Sequence, residues 1–117
     1  MSTNSLAPGQ SLQNNQSITS TDGSFMLIMQ DDGNLVVYQL QPRKPIWASQ
    51  TANKGGKQAI VQLDGNFVVY DGNGTAPKDA LWASNTSTPN STLFMQDDGN
   101  LVIYGPGKPT WATNTSQ

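Results

Sequence analysis

The sequence predicts an all-β protein built from three copies of one β-hairpin. Nine residues beginning at Gln30 return at Gln62 and at Gln96, so successive copies lie 32 and 34 residues apart, a spacing that marks one supersecondary unit per repeat. Each copy combines an Asp-Gly or Asp-Asp-Gly turn signal with β-branched residues, which is the pattern of a hairpin. At 117 residues, residues 1–117 are expected to form a single domain that contains all three repeats.

The residues shared by the three copies occupy every second position. Side chains of a strand alternate between its two faces, so the shared residues lie on one face and the intervening apolar residues face the core. We call the shared residues the first, second and third polar sets. They are Gln30, Asp32, Asn34, Val36 and Tyr38; Gln62, Asp64, Asn66, Val68 and Tyr70; and Gln96, Asp98, Asn100, Val102 and Tyr104.

The pattern also predicts the hairpin register. Gln30 should pair with Asn34, which leaves Asp31–Gly33 as a three-residue loop with Gly33 in the left-handed conformation. The same register pairs Leu27 and Met29 with Val37 and Leu35, and equivalent apolar pairs follow in the other copies. A turn requires only the Asp and the Gly, so the repeated Gln, Asn, Val and Tyr indicate a functional face.

Composition excludes several classes of function. The chain has no His and no Cys, and all eight acidic residues are Asp. It therefore lacks Ser-His and Cys-His nucleophile pairs and the usual zinc ligands, while a calcium loop closed by Glu cannot form. A glycosidase needs two carboxylates in different environments, which identical repeats disfavour. We expect no enzyme activity, catalytic residue, metal or cofactor.

Charge and hydropathy restrict the partners. The formal charge of −2 and six scattered basic residues provide no basic face for nucleic acid. No apolar run approaches membrane-spanning length, and the residues from Met1 do not resemble a signal peptide. We expect no nucleic-acid binding and no membrane insertion. Without cysteines or a signal peptide, a cytoplasmic or non-classically exported protein is favoured.

A second repeat supplies the third strand of each unit. Its copies are Ile46-Trp47-Ala48-Ser49, Leu81-Trp82-Ala83-Ser84 and Thr110-Trp111-Ala112-Thr113. Tryptophan could stack on a sugar ring or fill the core. Because three symmetry-related indoles suit a central axis and each supplies a large apolar area, the core interpretation is favoured.

The remaining segments are assigned from turn signals. Residues 1–23 should contain short strands around Leu6 and Leu12 joined by Pro8-Gly9, and fourth strands are expected between each Trp and the next hairpin, such as 56–59. Loops of unequal length are expected at 39–45, 71–79 and 105–109, each with Pro and Lys.

The pattern Gln-x-Asp-x-Asn-x-Val-x-Tyr, three times, resembles the monocot bulb-type mannose-binding lectins. Leu6, Gly9, Leu12, Gly23-Ser24-Phe25 and the Trp segments extend the similarity over nearly the whole chain. The resemblance implies a β-prism II fold of three four-stranded antiparallel sheets with pseudo-threefold symmetry and interior Trp residues. Many plant members carry a disulfide that this chain cannot form, which suits a bacterial, fungal or cytoplasmic relative.

The resemblance also implies a function for the polar sets. The Asp-Asn pair would hold the 2-hydroxyl of mannose, Gln the 3-hydroxyl, Tyr the 4-hydroxyl, and Val the C3–C4 edge. The expected ligands are terminal mannose residues of glycans, bound at three metal-independent sites. A homodimer by exchange of the C-terminal strand around 110–113 is expected from the family. A lectin-like bacteriocin that docks on cell-surface polysaccharide and a protein-interaction scaffold remain alternatives.

Overall fold

The computed structural model describes residues 3–72 and 74–117, and within these ranges it contains twelve β-strands and one 3-10 turn. The strands form three four-stranded antiparallel sheets, as the resemblance implied. The expectation that the chain has no signal peptide was based on the residues from Met1 onward, and Met1 itself lies outside the described residues. The strands are β1 Ser5–Leu6, β2 Ser11–Gln13, β3 Ser17–Thr19, β4 Phe25–Met29, β5 Leu35–Leu40, β6 Arg43–Ala48, β7 Gly56–Val61, β8 Phe67–Asp71, β9 Ala80–Ala83, β10 Thr92–Met95, β11 Leu101–Gly105 and β12 Lys108–Ala112, and the 3-10 turn is Pro77–Asp79.

Each sheet combines one N-terminal strand with one repeat of the chain. Sheet I has the order β3-β4-β5-β6, sheet II β2-β7-β8-β9, and sheet III β1-β10-β11-β12. The predicted hairpins are β4-β5, β7-β8 and β10-β11, and the Trp segments are the third strands β6, β9 and β12. The order within each sheet is therefore the same.

The fourth strands come entirely from the first twenty residues. Ser5-Leu6, Ser11-Leu12 and Ser17-Ile18 recur every six residues, and each apolar member is at most 5% exposed. Between them the chain turns at Gly9 and Asn15, which have φ angles of 86° and 71°. The expectation that residues 56–59 supply a fourth strand was wrong, because β7 is itself the first strand of the second hairpin.

The core lies where the inner faces of the three sheets meet. The predicted apolar pairs are present in the predicted register, and their side chains are all fully buried. These pairs are Leu27 with Val37, Met29 with Leu35, Ala59 with Val69, Val61 with Phe67, Leu93 with Ile103, and Met95 with Leu101. Because a shift of one residue would expose every member, this burial fixes the register.

Two of the three expected loops are much shorter than predicted. Strands β5 and β6 continue to a two-residue turn at 41–42, and β11 and β12 to a turn at 106–107. The register shifts just before Tyr38, Tyr70 and Tyr104, and such bulges hide strand pairing from a simple alternation pattern. The third expected loop does connect β8 and β9, although Asp71 is the last residue of β8 and the connection ends in the 3-10 turn Pro77–Asp79; residue 73 lies outside the described residues.

The three indoles pack against one another and against the core. Trp47, Trp82 and Trp111 meet edge-to-face, with ring centroids 5.3, 5.5 and 5.8 Å apart. They are partly buried rather than fully interior as the sequence suggested. Edge-to-face pairs are stabilising beyond their buried area, so the three rings tie β6, β9 and β12 together around the axis.

We expect Trp82→Ala to lower the free energy of unfolding by about 3 kcal/mol, the lower end for such truncations because the ring is partly exposed. The change removes contacts to Trp47, Trp111 and Phe67. Denaturant titration measures it, with Leu63→Ala as the control, because Leu63 is 72% exposed and its loss should cost less than about 0.5 kcal/mol. Equal midpoints for Trp82→Ala and the parent would contradict the core assignment.

Candidate functional site

Each polar set lies on the outer face of its own sheet, at the tip of the predicted hairpin. The backbone N–H of Gln30, Gln62 and Gln96 donates to the carbonyl of the Asn four residues later, at 3.0, 2.9 and 3.1 Å. The turn glycines have φ angles of 89°, 92° and 91°, in the left-handed region that glycine adopts without strain. The three-residue loop was therefore predicted correctly in all three copies.

The glycines are also required by close packing between repeats. A Cβ added at Gly33 would lie 2.8 Å from the backbone nitrogen of Gly56, and one added at Gly65 would lie 2.0 Å from the carbonyl oxygen of Thr88. At Gly99 it would lie 2.9 Å from the ring of Phe25. Each hairpin tip is thus held against a neighbouring segment of the chain, which fixes the position of the polar set.

The Asp carboxylate is held by the turn itself. One carboxylate oxygen of Asp32, Asp64 and Asp98 accepts the backbone N–H of the following Asn, at 2.9 Å in each copy. In the first two sets the Gln side-chain amide also donates to this carboxylate, at 3.2 and 3.3 Å. In the third set the Ser116 hydroxyl donates to Asp98 at 3.3 Å. Because a carboxylate has several lone pairs, acceptor capacity remains for a ligand.

The Asn side chain is oriented by the segment that follows each Trp. Asn66 Oδ1 accepts three hydrogen bonds, from Ser84 Oγ at 3.2 Å and from the backbone N–H groups of Asn85 and Thr86 at 2.9 and 3.3 Å. Thr86 Oγ1 in turn donates to the carbonyl of Gly65 at 2.6 Å. We call this arrangement the Asn clamp.

The Asn clamp is present in all three repeats. Ser49 and Thr51 hold Asn34, with hydrogen bonds of 3.3 and 3.2 Å to Oδ1. Thr113 and Thr115 hold Asn100, at 3.2 and 3.3 Å. Sequence reasoning missed these residues as part of the site, although Trp-Ala-Ser/Thr-x-Thr occurs three times and could have identified them.

The Asn clamp changes the hydrogen-bonding role assigned to the Asn side chain. A free Asn side chain could both donate a hydrogen bond to a ligand and accept one from it. Its Oδ1 is instead occupied by intramolecular donors, so the group it offers outward is the Nδ2 amide. Next to it stands the Asp carboxylate, which only accepts. Together they can hold one hydroxyl group, with Asn donating to its oxygen and Asp accepting its proton.

The Val residues lie beneath the polar groups. Val36, Val68 and Val102 are only 2, 2 and 3% exposed. They therefore form an apolar floor, and little of their surface is exposed for the contact with the C3–C4 edge that the resemblance implied.

The Gln and Tyr of each set contact one another, with opposite polarity in the third. The hydroxyls of Tyr38 and Tyr70 donate to the side-chain oxygens of Gln30 and Gln62. In the third set the Gln96 amide donates to the Tyr104 hydroxyl at 2.8 Å. The Tyr104 hydroxyl consequently keeps its own proton available for an external acceptor.

The Tyr ends of the three sets differ in exposure. Tyr70 is 4% exposed and Tyr104 38%, while the Arg43 guanidinium lies 4.5 Å from the centre of the Tyr38 ring. Burial raises the pKa of Tyr70, and the carboxylates of Asp64 and Asp79 raise it further. Tyr70 is therefore a protonated donor at neutral pH. The three sites share their Asp-Asn centre and differ at this edge.

Other classes of site have little support in the described ranges. Residues 3–72 and 74–117 contain no group of three or more carboxylates arranged to hold a metal ion. None of these residues belongs to a helix that is long and apolar enough to cross a bilayer. The feature that recurs in all three repeats is the Asp-Asn centre, which can hold one uncharged hydroxyl group.

Comparison with known proteins identifies the family. No protein-family model matches the chain. A mannose-specific lectin of Aloe arborescens is 38% identical over 97% of this chain and 99% of its own length. The monomeric mannose-binding lectins of Gastrodia elata superpose with a TM-score of 0.84 at 35% identity, covering 98% of this chain and 100% of theirs. The snowdrop (Galanthus nivalis) agglutinin, solved with methyl α-D-mannoside, superposes with a TM-score of 0.73 at 39% identity over 97% and 98% of the two chains. This chain belongs to the bulb-type mannose-specific lectin family.

Proposed function

We propose that this protein is a non-enzymatic lectin that binds terminal mannose residues at its three polar sets, without a metal ion. The observation that carries the proposal is the Asp-Asn centre, in which the turn holds the Asp carboxylate and the Asn clamp holds the Asn two residues later, in all three repeats. A sugar hydroxyl is both a donor and an acceptor, so it satisfies both groups at once.

The assignment of mannose rests on the family to which the chain belongs. Relatives from Aloe arborescens and Galanthus nivalis are named mannose-specific, and the latter was solved with a mannoside. In this assignment the Asp-Asn centre takes the axial 2-hydroxyl. An equatorial 2-hydroxyl, as in glucose, would point away and leave the two groups unpaired, at a cost of roughly 1–3 kcal/mol.

Multivalency follows from the arrangement of the sets. We expect each site alone to bind a monosaccharide weakly. Because the sets lie on three separate sheets of a molecule measuring 36 × 35 × 26 Å, one chain can engage several mannose residues of a glycan or a cell surface. Simultaneous engagement raises the overall affinity without any new contact.

The alternatives from the sequence are less well supported. A protein-interaction scaffold would need the prism but not three polar sets with an Asn clamp in each. A bacteriocin-like protein would use the same sites, and no separate feature favours it. Strand exchange remains a prediction, and it would have to replace the pairing of β12 with β11 of the same chain.

Mannose binding should survive removal of metal ions. In isothermal titration with methyl α-mannoside in the presence of a chelator, we expect three sites per chain and at least tenfold weaker binding of methyl α-glucoside. Loss of binding in chelator, or equal affinity for the two sugars, would contradict the proposal.

Single substitutions should remove sites one at a time. We expect Asp32→Ala, Asp64→Ala and Asp98→Ala each to lower the stoichiometry from three to two, because separate sheets carry the sets and distant sites behave independently. The affinity of the remaining sites should stay within about twofold, whereas agglutination of mannan-coated particles should fall disproportionately. A parent stoichiometry of one would contradict the multivalent mechanism.

The donor role of the Asn amide can be tested by an isosteric change. We expect Asn66→Asp to abolish binding at the second site, because Oδ1 can still accept from the Asn clamp while a second acceptor replaces the Nδ2 donor. Asn85→Asp is the matched control: it adds the same charge to an exposed neighbour and should leave three sites. Titration gives the stoichiometry and thermal unfolding checks the fold. Full binding by a folded Asn66→Asp variant would show that the amide is not the donor.

A further inference from the structure

The second site has an apolar surface beside it that differs from the surroundings of the other two. The residue that directly follows the Gln of each polar set is Asp31 in the first copy and Asp97 in the third, but Leu63 in the second. Leu63 is 72% exposed. A single exposed Leu is ordinary on a protein surface, so its meaning depends on what surrounds it.

Leu63 lies in an open cleft of about 540 Å³ whose exposed surface is mostly apolar. Ile60 and Thr75 form part of its wall. Gly9 lines it as well, and a Cβ added there would lie 3.6 Å from a Leu63 methyl. The cleft is therefore assembled from the N-terminal turn, the second hairpin and the long loop 71–79.

The cleft is continuous with the second polar set. Gln62 and Asp64 line it as well, and Asp64 belongs to the Asp-Asn centre. Thr75 comes from the loop between β8 and β9, whereas the corresponding strands of sheets I and III are joined by two-residue turns. Both the Leu and the loop thus distinguish this site from the others.

From this continuity we infer that the second site selects α-mannosides whose anomeric oxygen carries an apolar group, with Leu63, Ile60 and Thr75 contacting that group. The inference rests on the proposed function. In the pyranose ring C2 is bonded to C1 and C3. With the 3-hydroxyl assigned to Gln62 and the 2-hydroxyl to Asp64, the anomeric carbon C1 is on the other side of C2 from C3, and we place its substituent beside Asp64, which lines the cleft. Burial of about 50 Å² of apolar surface there corresponds to roughly a five- to tenfold gain in affinity.

The test compares phenyl and methyl α-mannoside in proteins that keep one site. Asp32→Ala with Asp98→Ala leaves the second site, and Asp64→Ala with Asp98→Ala leaves the first, where Asp31 occupies the position of Leu63. We expect the phenyl compound to bind the second site five- to tenfold more tightly than the methyl compound, and the first site about equally. Adding Leu63→Asn to the second-site protein should bring its ratio close to one.

Each outcome has a separate meaning. Methyl α-mannoside binding at the second site without a preference for the phenyl compound overturns the inference and leaves the proposed function standing. A preference that persists in Leu63→Asn, or is equal at the first site, also overturns it, because the cleft is then not the cause. Failure of both folded single-site proteins to bind methyl α-mannoside overturns the proposed function and the inference with it.

Discussion

The Asn clamp is the interaction on which both the fold and the site depend. In each repeat one carboxamide oxygen accepts hydrogen bonds from the segment after the Trp, two at Asn34 and three at Asn66 and Asn100, so a single side chain joins the hairpin tip to the segment that follows the third strand of its sheet. Satisfying these donors at a partly buried position avoids the cost of unpaired polar groups. The same bonds set the amide plane, which aims Nδ2 at the place where a ligand hydroxyl would stand. The hydrogen bonds that stabilise the fold at the Asn are thus the same bonds that orient its amide for a ligand.

The hairpin and the Trp strand are also coupled on the inner face. Val37 pairs with Trp47 and lies fully buried, while Val36, its neighbour on the outer face, is 2% exposed and pairs with Ala48. The residue after each Trp is an Ala, and it pairs with the Val of the polar set in all three sheets. A bulge then shifts the register at Tyr38, and bulges characteristically re-aim a side chain. Core packing therefore determines how the polar groups of the site are spaced.

Much of this architecture follows from the sequence because it depends on a period of two and on one turn. The buried pairs, the left-handed Gly33 and the shared face of Asn34 and Tyr38 are all local consequences of that pattern. The short strands around Leu6 and Leu12 were predicted correctly, whereas Ser17–Thr19 was missed because three residues carry too little alternation to indicate a strand. The partners of the Asn oxygen were missed because Ser84 and Thr86 lie 18 and 20 residues away from Asn66, in a segment interpreted only as packing. Tyr70 illustrates a third limit, since its burial is a property of the assembled sheet and loop.

Threefold repetition constrains the centre of each site more strongly than its edge. Asp64 accepts a backbone N–H in the turn and Asn66 accepts from the Asn clamp, so these positions carry a structural requirement in addition to the proposed binding role. Leu63, by contrast, is 72% exposed and lies in the hairpin turn outside the paired strands, and Thr75 in the connection to β9 is also exposed. Such positions can change at little cost in stability. It follows that the three sites can retain one way of holding a hydroxyl while they acquire different surroundings. The contrast between Leu63 and Asp31 is the kind of divergence that this division of constraints permits.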